Sequence, residues 1–139
     1  MSLSLSAIAL LGLVAWTLAL ALLLVSQRGL LVLGGRMPVN AFSTDGSNTP
    51  GAFGQRVVRA HANCLENLPL QAAVLLYALQ AGQTALTDPL AGVLVGARLF
   101  QSLMHLISTS PLFVWLRFAG WLVQMAIIAW WLLRLSGLA

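Results

Sequence analysis

From Leu3 to Val25 the chain runs for 23 residues without a charged side chain, and the apolar pattern resumes as far as Leu33. About 20 apolar residues are enough to cross the hydrocarbon of a bilayer as a helix. Inside lipid every backbone polar group needs an internal partner, so such a segment is helical or it does not cross. No Lys or Arg precedes the run, so the n-region of a secretory signal is missing and the segment is expected to remain as a span. The rest of the chain fits this setting. Hydrophobic residues make up 60% of the 139 and charged residues only 7%, whereas a soluble domain carries about 25% charged residues. Too little polar surface is available to coat a globule in water.

Turn formers divide the remainder. Gly34 to Gln55 holds Gly34, Gly35, Pro38, Asn40, Asp45-Gly46-Ser47-Asn48, Pro50 and Gly51, which marks one substantial loop. Thr84 to Asp88 reads as a short turn, with Pro89 in the first turn of the next helix, and Ser108-Thr109-Ser110-Pro111 breaks the chain again. The expected spans are 3–33, 56–82, 89–107 and 112–135, with Pro69 inside the second. Short second and third connections imply an all-α, up-down four-helix bundle in the membrane, formed by residues 1–139 as one domain.

All seven basic residues are Arg, against three acidic residues. They are dispersed and partly embedded in apolar runs, which argues against nucleic-acid binding. Arg28, Arg36, Arg56, Arg59 and Arg117 fall on the side of the long loop, and Arg134 falls on the side of the termini. The positive-inside rule then places the long loop in the cytoplasm. All-Arg usage in a Leu/Ala-rich chain points to a GC-rich bacterial genome, and hence to a bacterial inner membrane.

Polar residues inside spans are costly, at about 2.5–3.5 kcal/mol for a charge at helix centre. Arg56, Arg59, Asn63 and Glu66 follow i, i+3, i+7, i+10 along one stripe of the second helix. Arg98, Gln101 and His105 follow i, i+3, i+7 on the third. In antiparallel helices Gln101 and His105 come level with Asn63 and Arg59, and Arg117 enters from the start of the fourth helix. Single polar pairs can simply bind helices together. A convergence this large exceeds what helix association requires, and it suggests a pocket. Three arginines and one glutamate suit a zwitterion with two carboxylates and one amine, because guanidinium pairs bidentately with carboxylate. Glutathione has that arrangement.

The run Arg56-Val-Val-Arg59-Ala60-His61-Ala62-Asn63-Cys64-Leu65-Glu66-Asn67-Leu68-Pro69 closely resembles the second-helix signature of the MAPEG family, the membrane-associated proteins of eicosanoid and glutathione metabolism. Its Asn-Cys-x-x-Glu-x-x-Pro form looks most like the leukotriene C synthase and microsomal glutathione transferase branch. The resemblance implies a homotrimer that binds glutathione as co-substrate between subunits near the cytoplasmic face. By position it implies glutathione-binding roles for Arg59, His61, Asn63, Glu66 and Arg98, and, on a looser alignment, Arg36. Gln101 and His105, also expected to bind glutathione, stand where active members often carry an aromatic or His, then Tyr. Arg117 matches the thiolate-stabilising Arg of the fourth helix, though about three residues further from His105 than usual.

The chemistry so implied is attack by glutathione thiolate on a hydrophobic small-molecule acceptor, a detoxifying conjugation, or glutathione-dependent peroxide reduction. A free thiol of pKa about 8.5 is mostly protonated at neutral pH, and lowering that value by two requires roughly 2.7 kcal/mol. One guanidinium in a partly desolvated site can supply this. The alternatives are a non-catalytic protein that binds lipid or glutathione, and a structural membrane subunit. Cys64, one position off the stripe, is expected to behave as a small hydrophobe. His61 and His105 lack companions at metal-ligand spacing, so no metal is expected. Trp16, Trp115, Trp121, Trp130 and Trp131 are expected to face lipid or its interface, with Trp115 and Trp121 bordering an acceptor cleft beside Arg117.

Overall fold

The computed structural model describes residues 3–138, so Met1, Ser2 and Ala139 of the expected domain lie outside the described residues. Four helices follow one another: α1 (Leu5–Leu33), α2 (Ala52–Gln80), α3 (Thr84–Ile107) and α4 (Pro111–Leu135). Three of them, α1, α3 and α4, are long and apolar enough to cross a membrane. At 29 residues α2 has the length, but its polar first half lowers its hydropathy below theirs.

Two boundaries differ from the sequence expectation. Helix α2 begins at Ala52, four residues before Arg56, because Gly51 at φ 80° supplies the sharp entry. Helix α3 begins at Thr84, so Pro89 lies inside it and not in its first turn. The turn before it is Ala81–Gln83, with Gly82 at φ 67°. A proline one turn into a helix forfeits a single backbone bond, which a bundle tolerates. Pro111, by contrast, opens α4 as expected, where a missing N–H costs nothing.

Helix α3 packs against α4, α1 bridges α2 and α3, and α2 touches α4 least. One core cluster fills the half of the bundle nearest the termini: Ala9 and Leu13, Val74 and Leu75, Ala91 and Leu94, and Ile127, Ile128 and Trp131. Trp131 is fully buried there, contrary to the lipid-facing position expected of it, because α4 turns this face toward α2 and α3. A smaller cluster of Leu20, Ala60 and Cys64 lies in the other half. Gly120 brings α4 close to α3. A Cβ there would sit 3.3 Å from the Ala97 carbonyl and 3.2 Å from Gln101 Cβ.

At the terminus end, α1 is capped twice. Ser4 accepts from the Ala7 N–H at 3.2 Å. Asp88 of α3 accepts from both the backbone N–H of Ser6, at 2.8 Å, and its hydroxyl, at 2.6 Å. A carboxylate at a helix N-terminus also complements the helix dipole. At the other end the long loop is folded. Asn48 Oδ1 accepts from Ser43 N–H at 2.9 Å, and Asp45 accepts from the backbone N–H and hydroxyl of Ser47 at 3.0 and 2.9 Å. The Ser47 backbone bond, followed by those of the Ser43 and Ser47 hydroxyls, lowers the Asp45 pKa to about 2. Gly46, at φ 71°, lies against Val58 of α2 with no room for a Cβ.

Candidate functional site: a buried guanidinium inside an amide cluster

The polar residues divide between the inside of the bundle and its outer face. Arg98 is the inner hub, with 2% of its surface exposed. Its Nη2 donates to Asn63 Oδ1 at 2.7 Å, and its Nη1 donates to Oε1 of Gln101 at 3.2 Å and of Gln124 at 3.5 Å. Gln101 donates in turn to Asn63 Oδ1 at 3.0 Å. Helix geometry puts these groups together: Arg98 and Gln101 lie one turn apart on α3, while Asn63 faces them from antiparallel α2. The expected levelling of Gln101 with Asn63 is therefore realised.

Cys64 also belongs to this hub. Its Sγ lies 3.3 Å from Arg98 Nε and 3.1 Å from Nη2, and 3.4 Å from the Ser102 hydroxyl. The expectation of a merely hydrophobic Cys64 is corrected accordingly: the sulfur accepts hydrogen bonds from the guanidinium. Gln71 and Gln124 went unnoticed in the sequence. Both are almost fully buried, and Gln71 Nε2 donates to Gln124 Oε1 at 2.8 Å. The available signals were a lone amide in apolar α4, Gln124 lying seven residues beyond Arg117, and on α2 the spacing Asn63, Asn67, Gln71 at i, i+4, i+8.

Arg59 and Glu66 lie on the same helix as Asn63 but are exposed, and they take no part in the hub. His61 is half-buried. Arg36 is exposed at the start of the long loop, just beyond the end of α1. A second contact lies nearer the loop end: Arg117 Nη1 is 3.0 Å from His105 Nδ1. Beside it, Arg56 Nε donates to the Leu106 carbonyl at 2.7 Å and so ties the start of α2 to the end of α3. Phe118 stacks on Trp121 at 5.9 Å and meets Trp115 edge-on at 6.1 Å, forming an aromatic face next to Arg117. Among the described residues, no group of three His, Cys, Asp or Glu side chains could hold a metal.

The arrangement is a polar stripe on the outside of α2, backed by a buried guanidinium, with a cation and an aromatic face at one end. Three surface grooves, of about 370, 520 and 630 Å³, lie elsewhere and contain none of Asn63, Arg98 and Arg117. With Arg59 and Glu66 exposed, the stripe is an open face in the single chain. The MAPEG family model matches residues 6–137, nearly the whole chain. The chain belongs to the MAPEG family. No curated protein and no solved structure matches significantly. As a MAPEG member the chain is an integral membrane protein of a glutathione-binding family, and its four-helix bundle with three strongly apolar helices accords with that membership.

Proposed function

We propose that this MAPEG protein is a glutathione transferase, or a glutathione-dependent peroxidase, in which Arg117 stabilises the thiolate. The observation that carries the reading is the split of polar residues on α2. Asn63 is tied into the buried hub, while Arg59 and Glu66 stay exposed along an otherwise apolar bundle. Charges exposed at the depth of a membrane are costly and mark functional positions. A glutathione molecule would satisfy both signs, its carboxylates meeting Arg59 and its ammonium meeting Glu66. The open face closes when a second copy packs against it, so the active form is a homotrimer with the site between subunits. Helix α2 then crosses the bilayer with its polar face covered by protein, which makes four spans.

Arg36, His61 and His105 belong to the outer parts of the site. Arg36 reaches a carboxylate from the loop, and His105 holds Arg117 from α3. The 3.0 Å contact between Arg117 and His105 supports this placement despite the three extra residues between them. The aromatic face of Trp115, Phe118 and Trp121 receives the hydrophobic acceptor. The long loop faces the bacterial cytoplasm, where glutathione is held. Labelling Ser47→Cys with an impermeant maleimide in intact cells tests that orientation: the cysteine should stay unlabelled until the cells are opened.

The chemistry is tested at Arg117. Arg117→Ala should lower turnover of chlorodinitrobenzene by one to two orders of magnitude while glutathione affinity changes little. A group that acts on the thiolate alone separates rate from binding. Ultraviolet absorbance of bound thiolate, titrated against pH, should show the thiol pKa rising in the variant. An unchanged pKa would leave Arg117 as a surface anchor and favour the binding-protein reading.

A further inference from the structure

The buried amides have a direction. Gln71 Nε2 donates to Gln124 Oε1, Gln124 Nε2 donates to Gln101 Oε1 at 2.8 Å, and Gln101 Nε2 donates to Asn63 Oδ1. The chain starts on α2, passes through α4 and α3, and returns to α2 two turns away from where it began. Arg98 sets its polarity. A guanidinium has only donors, so any amide beside it must turn its oxygen inward. Each of the three oxygens, on Gln124, Gln101 and Asn63, takes one bond from Arg98 and one from the preceding amide. Both lone-pair directions of Asn63 Oδ1 are thereby used, and the other end of that amide, the NH2, is turned away from Arg98.

We infer that Gln124, with Gln71 behind it, is a positioning residue that holds Arg98 and Gln101 in the arrangement which fixes Asn63 as a hydrogen-bond donor to the ligand. The inference rests on the glutathione reading above and extends it to atoms. Asn63 sits between Arg59 and Glu66 on the half-buried edge of the stripe, so its NH2 meets an acceptor, a carbonyl or carboxylate oxygen of the bound peptide. A ligand group that could only donate would find no partner there. Gln124 reaches this contact from the opposite side of the bundle without touching the ligand. It is anchored for that task by a second bond from its Nε2 to the Gly120 carbonyl, at 2.8 Å.

Gln124→Glu tests the direction of the chain. The carboxylate keeps the side-chain volume and gains an ionic partner in Arg98, so the fold should hold. It can no longer donate to Gln101 Oε1, and it draws the Arg98 guanidinium toward itself and away from Asn63 Oδ1. The Asn63 amide loses the bond that holds its oxygen inward and is no longer fixed as a donor, and glutathione affinity of the detergent-solubilised full chain should fall about tenfold, the scale of one hydrogen bond. The thermal midpoint should not fall with it. In an Asn63→Ala background the same substitution should cost nothing further, because the effect passes through Asn63. An equal loss in both backgrounds, or wild-type affinity in Gln124→Glu, overturns the positioning role. If Gln124→Glu does not fold, Gln124→Met cuts the chain without adding a charge. It should bind roughly threefold more weakly, and wild-type affinity there overturns the proposal as well. A wild-type protein that binds no glutathione at millimolar concentration overturns the glutathione reading itself, a result distinct from either variant's.

Discussion

The two halves of this bundle are built on opposite terms. The half near the termini is filled by Leu, Ile, Val, Ala and one Trp. The half near the long loop buries Arg98, Gln101, Ser102 and Gln124 around Asn63 and Cys64. In water the first kind of packing would dominate stability. In a membrane lipid tails are as apolar as Leu, so the apolar half is held by close packing alone and has no hydrophobic drive. The polar half has no substitute in lipid. Its donors and acceptors pair with each other or are left unsatisfied at a cost of about 1–3 kcal/mol each. The lesson is a division of labour: the apolar half supplies shape, and the polar half specifies how α2, α3 and α4 must register.

The comparison is broken most forcefully at Trp131. Trp131→Ala empties the largest fully buried side chain of the apolar half and should destabilise the protein by roughly 3–5 kcal/mol. Thermal unfolding in detergent measures it. The glutathione affinity of the folded fraction should be unchanged, since the loop half is untouched, and a fall in affinity would mean that the halves are coupled.

Glu66→Gln sharpens the opposite side. Glu66 is exposed and outside the hub, so its loss should leave the thermal midpoint within about 0.5 kcal/mol of wild type, as for most surface changes. Losing the charge opposite the ligand ammonium should weaken glutathione binding by about 1.5–3 kcal/mol, or ten- to a hundred-fold. Calorimetric titration of the solubilised protein decides it. Unchanged affinity would assign Glu66 to contacts between subunits.

The smallest effect is expected in the loop. The Asp45 carboxyl, with its pKa lowered to about 2 from its ordinary 3.8, supports the turn fully at pH above 3.8, and that support is lost as pH falls toward 2. Limited proteolysis across residues 43–49 should therefore accelerate only below about pH 4. Asp45→Asn should remove the pH step and leave the bundle unaffected. A step that persists in the variant would place the titrating group elsewhere.

Much of this was legible from the sequence because lipid simplifies the code. The long uncharged run of α1 and the proline opening α4 marked helices directly. The stripes on α2 and α3 placed Asn63 against Gln101, as found. Pro89 misled because a turn-former inside a membrane helix is tolerated by its neighbours, so the residue type alone does not give the boundary. Trp131 misled because tryptophan near a helix end suits an interface as readily as a core. Arg59 and Arg98 read alike in sequence, yet one is exposed and the other buried. Periodicity assigns both to a polar face, but the helix crossing decides which edge of that face turns inward. Gln124 is the single amide of α4, and its meaning lies in a partner 53 positions away, while Gln71 repeats the spacing of Asn63 and Asn67 on a face of α2 that periodicity alone does not assign to the interior.

The cap that Asp88 places on α1 joins residues 82 positions apart. At roughly 5–20 residues per second of synthesis, α1 leaves the ribosome about 4–16 s before the carboxylate that finishes its first turn exists. Whatever holds that turn in the interval, it is not Asp88. Until α3 arrives, the first turn of the first helix is capped by Ser4 alone, and the helix relies on its hydropathy and then on α2. The last contact of the first turn of α1 is therefore made late, by the third helix to be synthesised.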